Sequence, residues 1–344
     1  MGDIADLMQT PFSRRAFLGT GAKFAGAAAV AGMVPSFLGS AVAGASAPLT
    51  SLTYQLSWVK DAEFAGSFLA EKLGYYKKHG LAVNLLAGGA TVVPEPVVVS
   101  GKALIATSAA DSCAEAINQG APLKIIGVRY QKNPFCIISL AKKPIKTPQE
   151  LYGKKLGVSA ANESAWTTFV KVANIDVSKI TVVPVQFDPT PLATGEVDAW
   201  MGFSTDEPGE LAVKGVKTYL FLFADSGYSI YSDLYEVTED TLNTKEAELV
   251  AFLKAEKQGW TYNFAHMEEG TDTAMAYAAS SGLEKSQQML ENIAQKPLFY
   301  TPYTEAHGIF TMNPADIEAN IKTLALGGIK ATPAMFSDKI ISQI

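Results

Sequence analysis

From residue 52 onward the chain alternates short apolar runs with longer stretches whose apolar residues recur at helical spacing. Leu52–Trp58 alternates apolar and polar positions, the pattern of a half-buried strand. Asp61 then stands as a helix cap ahead of Phe64, Phe68, Leu69 and Leu73, which share one helical face. Gly80 supplies the stop. Strands are predicted at Ala82–Leu86, Leu104–Thr107 and Leu123–Tyr130, with helical pieces ending at Gly101 and covering Asp111–Gln119. Asn133-Pro134 interrupts the pattern, and a second set follows. It has a strand at Phe135–Leu140, a capping box at Thr147-Pro148-Gln149-Glu150, a strand at Lys155–Val158 and a helix over Ser164–Ala173. It continues with a strand at Thr181–Gln186, a helix from Asp188-Pro189 to Gly195, and strands at Val197–Met201 and Tyr219–Phe223. Beyond Thr238 the periodicity is helical: Lys245–His266, Thr271–Ala279, Leu283–Ala294, and Asn313–Leu324 with Asn313 as its cap. Repeated strand–helix units imply mostly parallel sheets with helices on both faces. The fold class is therefore α/β, in two lobes, with a helical C-terminal portion.

Composition narrows the partners. The chain has 344 residues, a net charge of −6 and only three arginines, Arg14, Arg15 and Arg129, against 25 lysines. A nucleic-acid binder needs a basic face, so that class is disfavoured. Two cysteines, Cys113 and Cys136, make neither a disulfide framework nor a four-ligand zinc site. Both a Cys113–Cys136 bridge and two buried thiols are compatible with their spacing.

The first 43 residues read as an address. Arg14-Arg15 precedes an Ala- and Gly-rich apolar run from Phe24 to Leu38 that Pro35 interrupts. Paired arginines before such a run mark twin-arginine export, and 15 residues are too short for a lasting membrane span. Ala41-Val42-Ala43 offers the small residues that a signal peptidase accepts. Cleavage there removes Arg14, Arg15 and Lys23 against Asp3 and Asp6, leaving a mature net charge of −7. The expected address is the periplasm, with no cysteine placed for a lipid anchor.

Motifs for catalysis are scarce. His79, His266 and His307 lie far apart, outside any H-E-x-x-H pattern, and neither a nucleophile elbow nor a phosphate-binding G-x-x-x-x-G-K-[ST] loop occurs. No cofactor or resident metal is expected, and the chain reads as a binder rather than an enzyme.

In open α/β lobes ligands sit beyond the carboxyl ends of strands, where loops and helix N-termini converge. That rule selects Trp58, Asp61, Glu63 and Phe64 after the first strand, and Gly88, Gly89 and Thr91 after the second. Ser108, Ala109 and Asp111 follow the third. In the second lobe it selects Ser159, Asn162 and Glu163, then Asp188, then Gly202, Phe203 and Glu207. Trp58, Phe64, Trp200, Phe203 and Tyr228 are rings able to sandwich a flat ligand. The carboxylates Glu63, Asp111, Glu163 and Glu207 suit an amino-bearing heterocycle or a cation. A nitrate, sulfonate or phosphate is expected to meet a bidentate arginine, for which only Arg129 is left. Trp166, beside Phe169 and Val170, reads as core, and Asp198 as structural.

Several stretches resemble a known family. Trp58, Phe64-Ala65-Gly66 and Ala70 through Leu81 resemble the opening of solute-binding proteins of ABC importers. The similarity is to the branch of thiamine-pyrimidine, nitrate, sulfonate and taurine binders. Thr147 through Val158 resembles the start of that family's second lobe, and Gly195-Glu196-Val197-Asp198-Ala199 its G-x-V-D-A element. Met201 through Pro208 resembles its Asn-Glu-Pro region, with Asp206 where asparagine would stand. The resemblance implies a periplasmic-binding-protein type II fold with two crossover strands near Tyr130–Pro134 and Tyr228–Leu234. On this basis residues 48–130 form the first part of lobe I, 131–232 lobe II, and 233–344 the return to lobe I. It also implies a carrier that brings a small molecule to an ABC permease and its ATPase, a task for which a monomer suffices, while Arg14-Arg15 makes the twin-arginine export machinery a further expected partner. A pyrimidine-like ligand is expected. A sulfonate, taurine or nitrate binder is the alternative, and an exported enzyme acting on a heterocycle the next.

Overall fold

The structure, a computed structural model, describes residues 48–278 and 282–344. The export segment, residues 1–43, and Ala279, at the end of the helix expected over Thr271–Ala279, lie outside the described residues. The described part forms one compact unit built on two five-stranded sheets. The first holds β1 (Thr50–Gln55), β2 (Leu81–Leu86), β3 (Ile105–Ser108), β4 (Leu123–Tyr130) and β10 (Ser232–Thr238), in the order β2-β1-β3-β10-β4. The second holds β5 (Phe135–Leu140), β6 (Lys155–Val158), β7 (Thr181–Pro184), β8 (Ala199–Phe203) and β9 (Thr218–Leu222), in the order β7-β6-β8-β5-β9.

The sheets share one plan. Three parallel strands lie side by side, a single antiparallel strand follows, and one more strand closes the edge. In each sheet the antiparallel strand enters from the other lobe: β5 follows β4 into the second sheet, and β10 returns to the first. Two connections, 131–134 and 223–231, therefore join the lobes. Asn133 ties them together, donating from Nδ2 to the Ile230 carbonyl at 2.9 Å and accepting from the Phe135 amide at 2.9 Å.

Apolar packing does not respect the lobe division. One core runs continuously from Ile125 and Val128 of the first sheet to Ile137, Phe169, Phe223 and Tyr228 around the second. A separate core around Tyr54, Phe68, Phe252 and Trp260 belongs to lobe I. The C-terminal helices serve both lobes. Glu246–Ala265 packs along Ala65–Lys72, while Lys285–Phe299 also touches Glu207–Val213, and Pro314–Leu326 lies on Glu163–Val172.

Some local expectations need correction. Thr147 makes no side-chain cap; a single 3-10 turn, Pro148–Leu151, forms there, and Glu150 accepts the Lys146 amide at 2.8 Å. The turn ends at once because Tyr152 is already extended, ahead of Gly153 at a positive φ of 77°, so no first α-helical turn exists for a capping box to serve. The strand expected to reach Trp58 ends at Gln55, leaving Ser57 and Trp58 in the loop beyond it. Cys113 and Cys136 are both free, buried thiols.

Candidate functional site

A cavity of about 80 Å³ lies between the lobes, at the carboxyl ends of the strands. Lobe I contributes Ser57, Trp58 and Glu63 after β1, Pro94 from the start of the helix Pro94–Val99, and Ser108, Asp111 and Ser112 where β3 passes into the helix Ala110–Asn118. Lobe II contributes Phe135, Asn162, Ala165, Phe203, Asp206 and Glu207, and the return strand adds Ser232 and Asp233. At 10–15 Å³ per water position this space holds roughly five to eight waters.

Of the residues chosen from sequence, Trp58, Glu63, Ser108, Ala109, Asp111, Asn162, Phe203 and Glu207 line this cavity. The others stand elsewhere. Asp61 is buried behind the wall, where its Oδ1 accepts the Glu63 amide at 3.1 Å and fixes the turn that presents Glu63. Phe64 is core, with the Arg129 guanidinium 4.8 Å from its ring centre. Gly88 and Gly89 shape a loop that the Gly88 amide anchors to the Trp58 carbonyl at 2.8 Å. Thr91 and Glu163 are exposed. Asp188 is an exposed cap of Thr190 paired with Lys214 at 3.6 Å, because β7 is an edge strand and its end lies away from the cleft.

Trp200 is also a correction, being 1% exposed inside lobe II. Its side chain takes the face of β8 opposite the wall, and its Nε1 donates to Glu207 Oε1 at 3.2 Å. Gly202 leaves space rather than making contact: a Cβ there would collide with the Glu207 carboxyl. Tyr228 is buried against Phe169 and Phe223 and donates from its hydroxyl to Asp111 Oδ2 at 2.6 Å. These three residues position carboxylates.

Arg129 serves the interior. It is fully buried on β4, with Nη2 3.2 Å from Asp233 Oδ1 and 3.7 Å from Glu63 Oε1, and Nη1 donates to the Glu63 carbonyl at 3.1 Å. Trp260 lies 5.3 Å from its guanidinium carbon. Burial works against its charge, but Asp233 leads the groups that hold the proton on more firmly than usual. Arg129 is not among the residues lining the cavity, and its charge is met by Asp233 and Glu63, so it is not placed as the fork for an anionic ligand there.

Residues missed from sequence complete the picture. Asp206 accepts from Gln287 Nε2 at 2.7 Å, and Gln288 Nε2 donates to Glu291 Oε2 at 2.9 Å. Gln287, Gln288, Glu291, Asn292 and Gln295 form the buried face of the helix Lys285–Phe299, while Ile293 is exposed. Their spacing repeats as an apolar stripe would, and that polar periodicity was the available signal. Asp61, Glu63 and Glu291 each place one carboxylate oxygen within 4.8 Å of the others. That spacing suits an oxygen-seeking cation or a set of N–H donors.

Carboxyl groups crowd this region. Burial raises Glu63, and Asp233 and Asp61 raise it further; burial and then Asp206 raise Glu207; burial and then Asp61 raise Glu291. Asp206 is pushed up to about 7 by burial and then by Glu210, with Gln287 pulling the other way. A carboxyl that keeps its proton when folded but loses it near pH 4 when unfolded weakens the fold as pH rises from there through 7. Asp206→Asn keeps an acceptor for Gln287 and removes that charge. Thermal melts are therefore expected to show a larger gain at pH 8 than at pH 5. Equal shifts at both values would mean that ionising Asp206 costs the fold nothing.

A family model described as NMT1/THI5 like matches residues 61–270. The riboflavin-binding protein of Chloroflexus aurantiacus is 24% identical over 276 residues, 76% of this chain and 76% of the relative. The formylaminopyrimidine-binding protein of Halalkalibacterium halodurans is 22% identical over 255 residues, 73% of this chain and 76% of the relative. Among solved structures, the alkanesulfonate-binding protein of Xanthomonas axonopodis pv. citri bound to MOPS matches with a TM-score of 0.61 at 14% identity. That match covers 84% of this chain and 97% of the other. The architecture is thus the two-lobed periplasmic-binding-protein fold, with its ligand class left to the chemistry of the cleft.

Proposed function

Because this chain belongs to the NMT1/THI5-like family, we propose that it is an extracytoplasmic solute-binding protein that closes its lobes over a small, flat, nitrogen-bearing heterocycle. It releases that ligand unchanged to an ABC permease driven by a separate ATPase. The observation that carries this reading is the composition of the interlobe cavity. Trp58, Phe135 and Phe203 supply ring faces, and Glu63, Asp111 and Glu207 supply acceptors for N–H groups. The only arginine beyond the first 43 residues is already engaged by Asp233 and Glu63.

A sulfonate or nitrate would have to sit among these carboxylates without a guanidinium fork, which disfavours the anion alternative. Arg14-Arg15 supports twin-arginine export to the periplasm, and delivery to a permease needs no more than a monomer.

Thermal shift with pyrimidines, purines, flavins, polyamines, sulfonates and nitrate tests the reading, because a ligand that binds only the folded chain raises its melting temperature. Stabilisation by anions alone would refute it. Recovery of the bound compound after incubation separates carrier from enzyme: a carrier returns it unaltered. Trp58→Ala is expected to fold normally and bind the stabilising heterocycle about tenfold more weakly, the loss of one ring contact. Unchanged affinity by calorimetry would place Trp58 outside the ligand's reach.

A further inference from the structure

We infer that the cleft is built for a cation: the ligand carries positive charge on its flat ring or on a group beside it. The inference rests on the solute-binding reading above and narrows it to one charge class. Its basis is the balance of charged groups around the cavity. Glu63, Asp111, Asp206, Glu207 and Asp233 face it, and Glu291 and Asp61 stand behind Glu63. Arg129 is the one cationic side chain the described residues place against this set, and it contacts only Glu63 and Asp233.

The second observation is Asp233. It is 2% exposed and lines the cavity, and its Oδ2 accepts no bond from an N–H or hydroxyl group among the described residues, with the Glu63 carboxyl as the neighbour that can share a proton with Asp233. Its Oδ1 already faces Arg129 and lies 3.5 Å from Ser57 Oγ. A buried carboxylate oxygen without a donor is costly unless a ligand supplies one. The backbone at Asp233 has a positive φ of 49°, so the residue is held at the cavity wall against its ordinary preference.

The carboxyl groups can be neutralised either by protons or by a bound cation, and the two differ in sign. Asp206 faces Glu210 on its own helix, Gln287 and Glu291 on the helix Lys285–Phe299, and Asp61 across the lobe division. No lysine or arginine figures among these. A cation entering this set displaces protons, so its affinity rises with pH through the range where the carboxyls titrate. A neutral ligand gains nothing from their ionisation, and its affinity is flat or falls.

The test is calorimetry on the full chain at low salt with matched flat probes: benzamidinium against benzamide, and an N-methyl-aminopyrimidinium against its neutral parent. The cationic member of each pair is expected to bind about tenfold tighter or better, with affinity increasing from pH 6 to pH 8. In Asp233→Asn the cation preference, read as the ratio of affinities within each pair, should fall about tenfold. Asparagine tolerates the same backbone conformation but removes the counter-charge of buried Arg129. A urea melt first establishes that the variant is folded, and the wild-type comparison of charged and neutral probes tests the assignment without it. Neutral members binding as well as cations, or a cation that weakens as pH rises, would overturn the charge assignment and leave the solute-binding reading standing. If neither these probes nor any compound of the thermal-shift panel binds, the solute-binding reading itself falls, and this inference with it.

Discussion

Arg129→Met is expected to destabilise the protein by about 3–5 kcal/mol, the loss typical of removing one partner from a buried ion pair. Methionine fills part of the volume between Phe64 and Trp260 but leaves Asp233 and Glu63 in the interior without their counter-charge. The size of the loss depends on pH. Burial, the largest influence on each, already raises both carboxyl groups, and Arg129 opposes it. Without the guanidinium they hold their protons to still higher pH, so the native state binds more protons than the unfolded chain over a wider range. Stability then falls more steeply as pH increases. Urea unfolding should show the variant's deficit growing from pH 5 to pH 8. Arg129→Met combined with Asp233→Asn should recover part of it, since the pair is coupled. A deficit under about 1 kcal/mol, independent of pH, would mean that the pair is solvated rather than buried.

The second large effect lies where no charge is involved. Gly259 and Gly66 face one another where the helix Glu246–Ala265 crosses Ala65–Lys72. A Cβ on Gly259 would collide with the Gly66 carbonyl and stand 2.9 Å from the Ala70 Cβ, and a Cβ on Gly66 would enter the Trp260 ring. Neither obstacle is the free end of a flexible side chain, so the helices must separate. Gly259→Val is expected to cost about 3 kcal/mol, the upper part of the usual range for overpacking. In a chain of this size that is a fall of roughly 6–10 °C in melting temperature. Gly259→Ala should cost less, because alanine regains about 1 kcal/mol of helix propensity. Calorimetric melts of both variants check this ordering. Equal melting temperatures for the parent and the valine variant would show that the crossing has slack. Since Trp260 packs on Arg129 from this helix, ligand affinity should weaken along with stability.

Much of the architecture is legible in the residue pattern. β4, β5 and β6 occupy the stretches expected for them, and Gly80 and Gly195 end their segments with positive φ as stop residues do. Eight of the residues selected at strand ends line the interlobe cavity. The failures share a cause. Trp200, Tyr228 and Asp61 sit at the expected sequence positions but point one layer behind the wall, where they hold Glu207, Asp111 and Glu63. An aromatic residue beside a strand end has two faces to choose from, and that choice depends on what packs there. Asp188 fails differently: it follows a strand that the topology places at the sheet edge. Glu291 and its glutamine neighbours escape notice because a buried polar stripe defies the usual amphipathic rule, and only a partner face rich in carboxyl groups makes sense of it.

Order and type of the elements follow from local physics: hydrophobic period, turn glycines and caps act within a few residues of themselves, so they are readable along the chain. The single arginine left for the cleft was equally visible, and with it the weakness of any anion site. What required the folded arrangement was the company each charged group keeps. Glu63, Asp206, Asp233 and Glu291 are remote along the chain, and their ionisation is governed by distances of a few ångströms that the packing of two lobes and a C-terminal helix creates. Coulombic and desolvation energies vary with those distances and with burial, neither of which is a property of neighbouring residues in sequence.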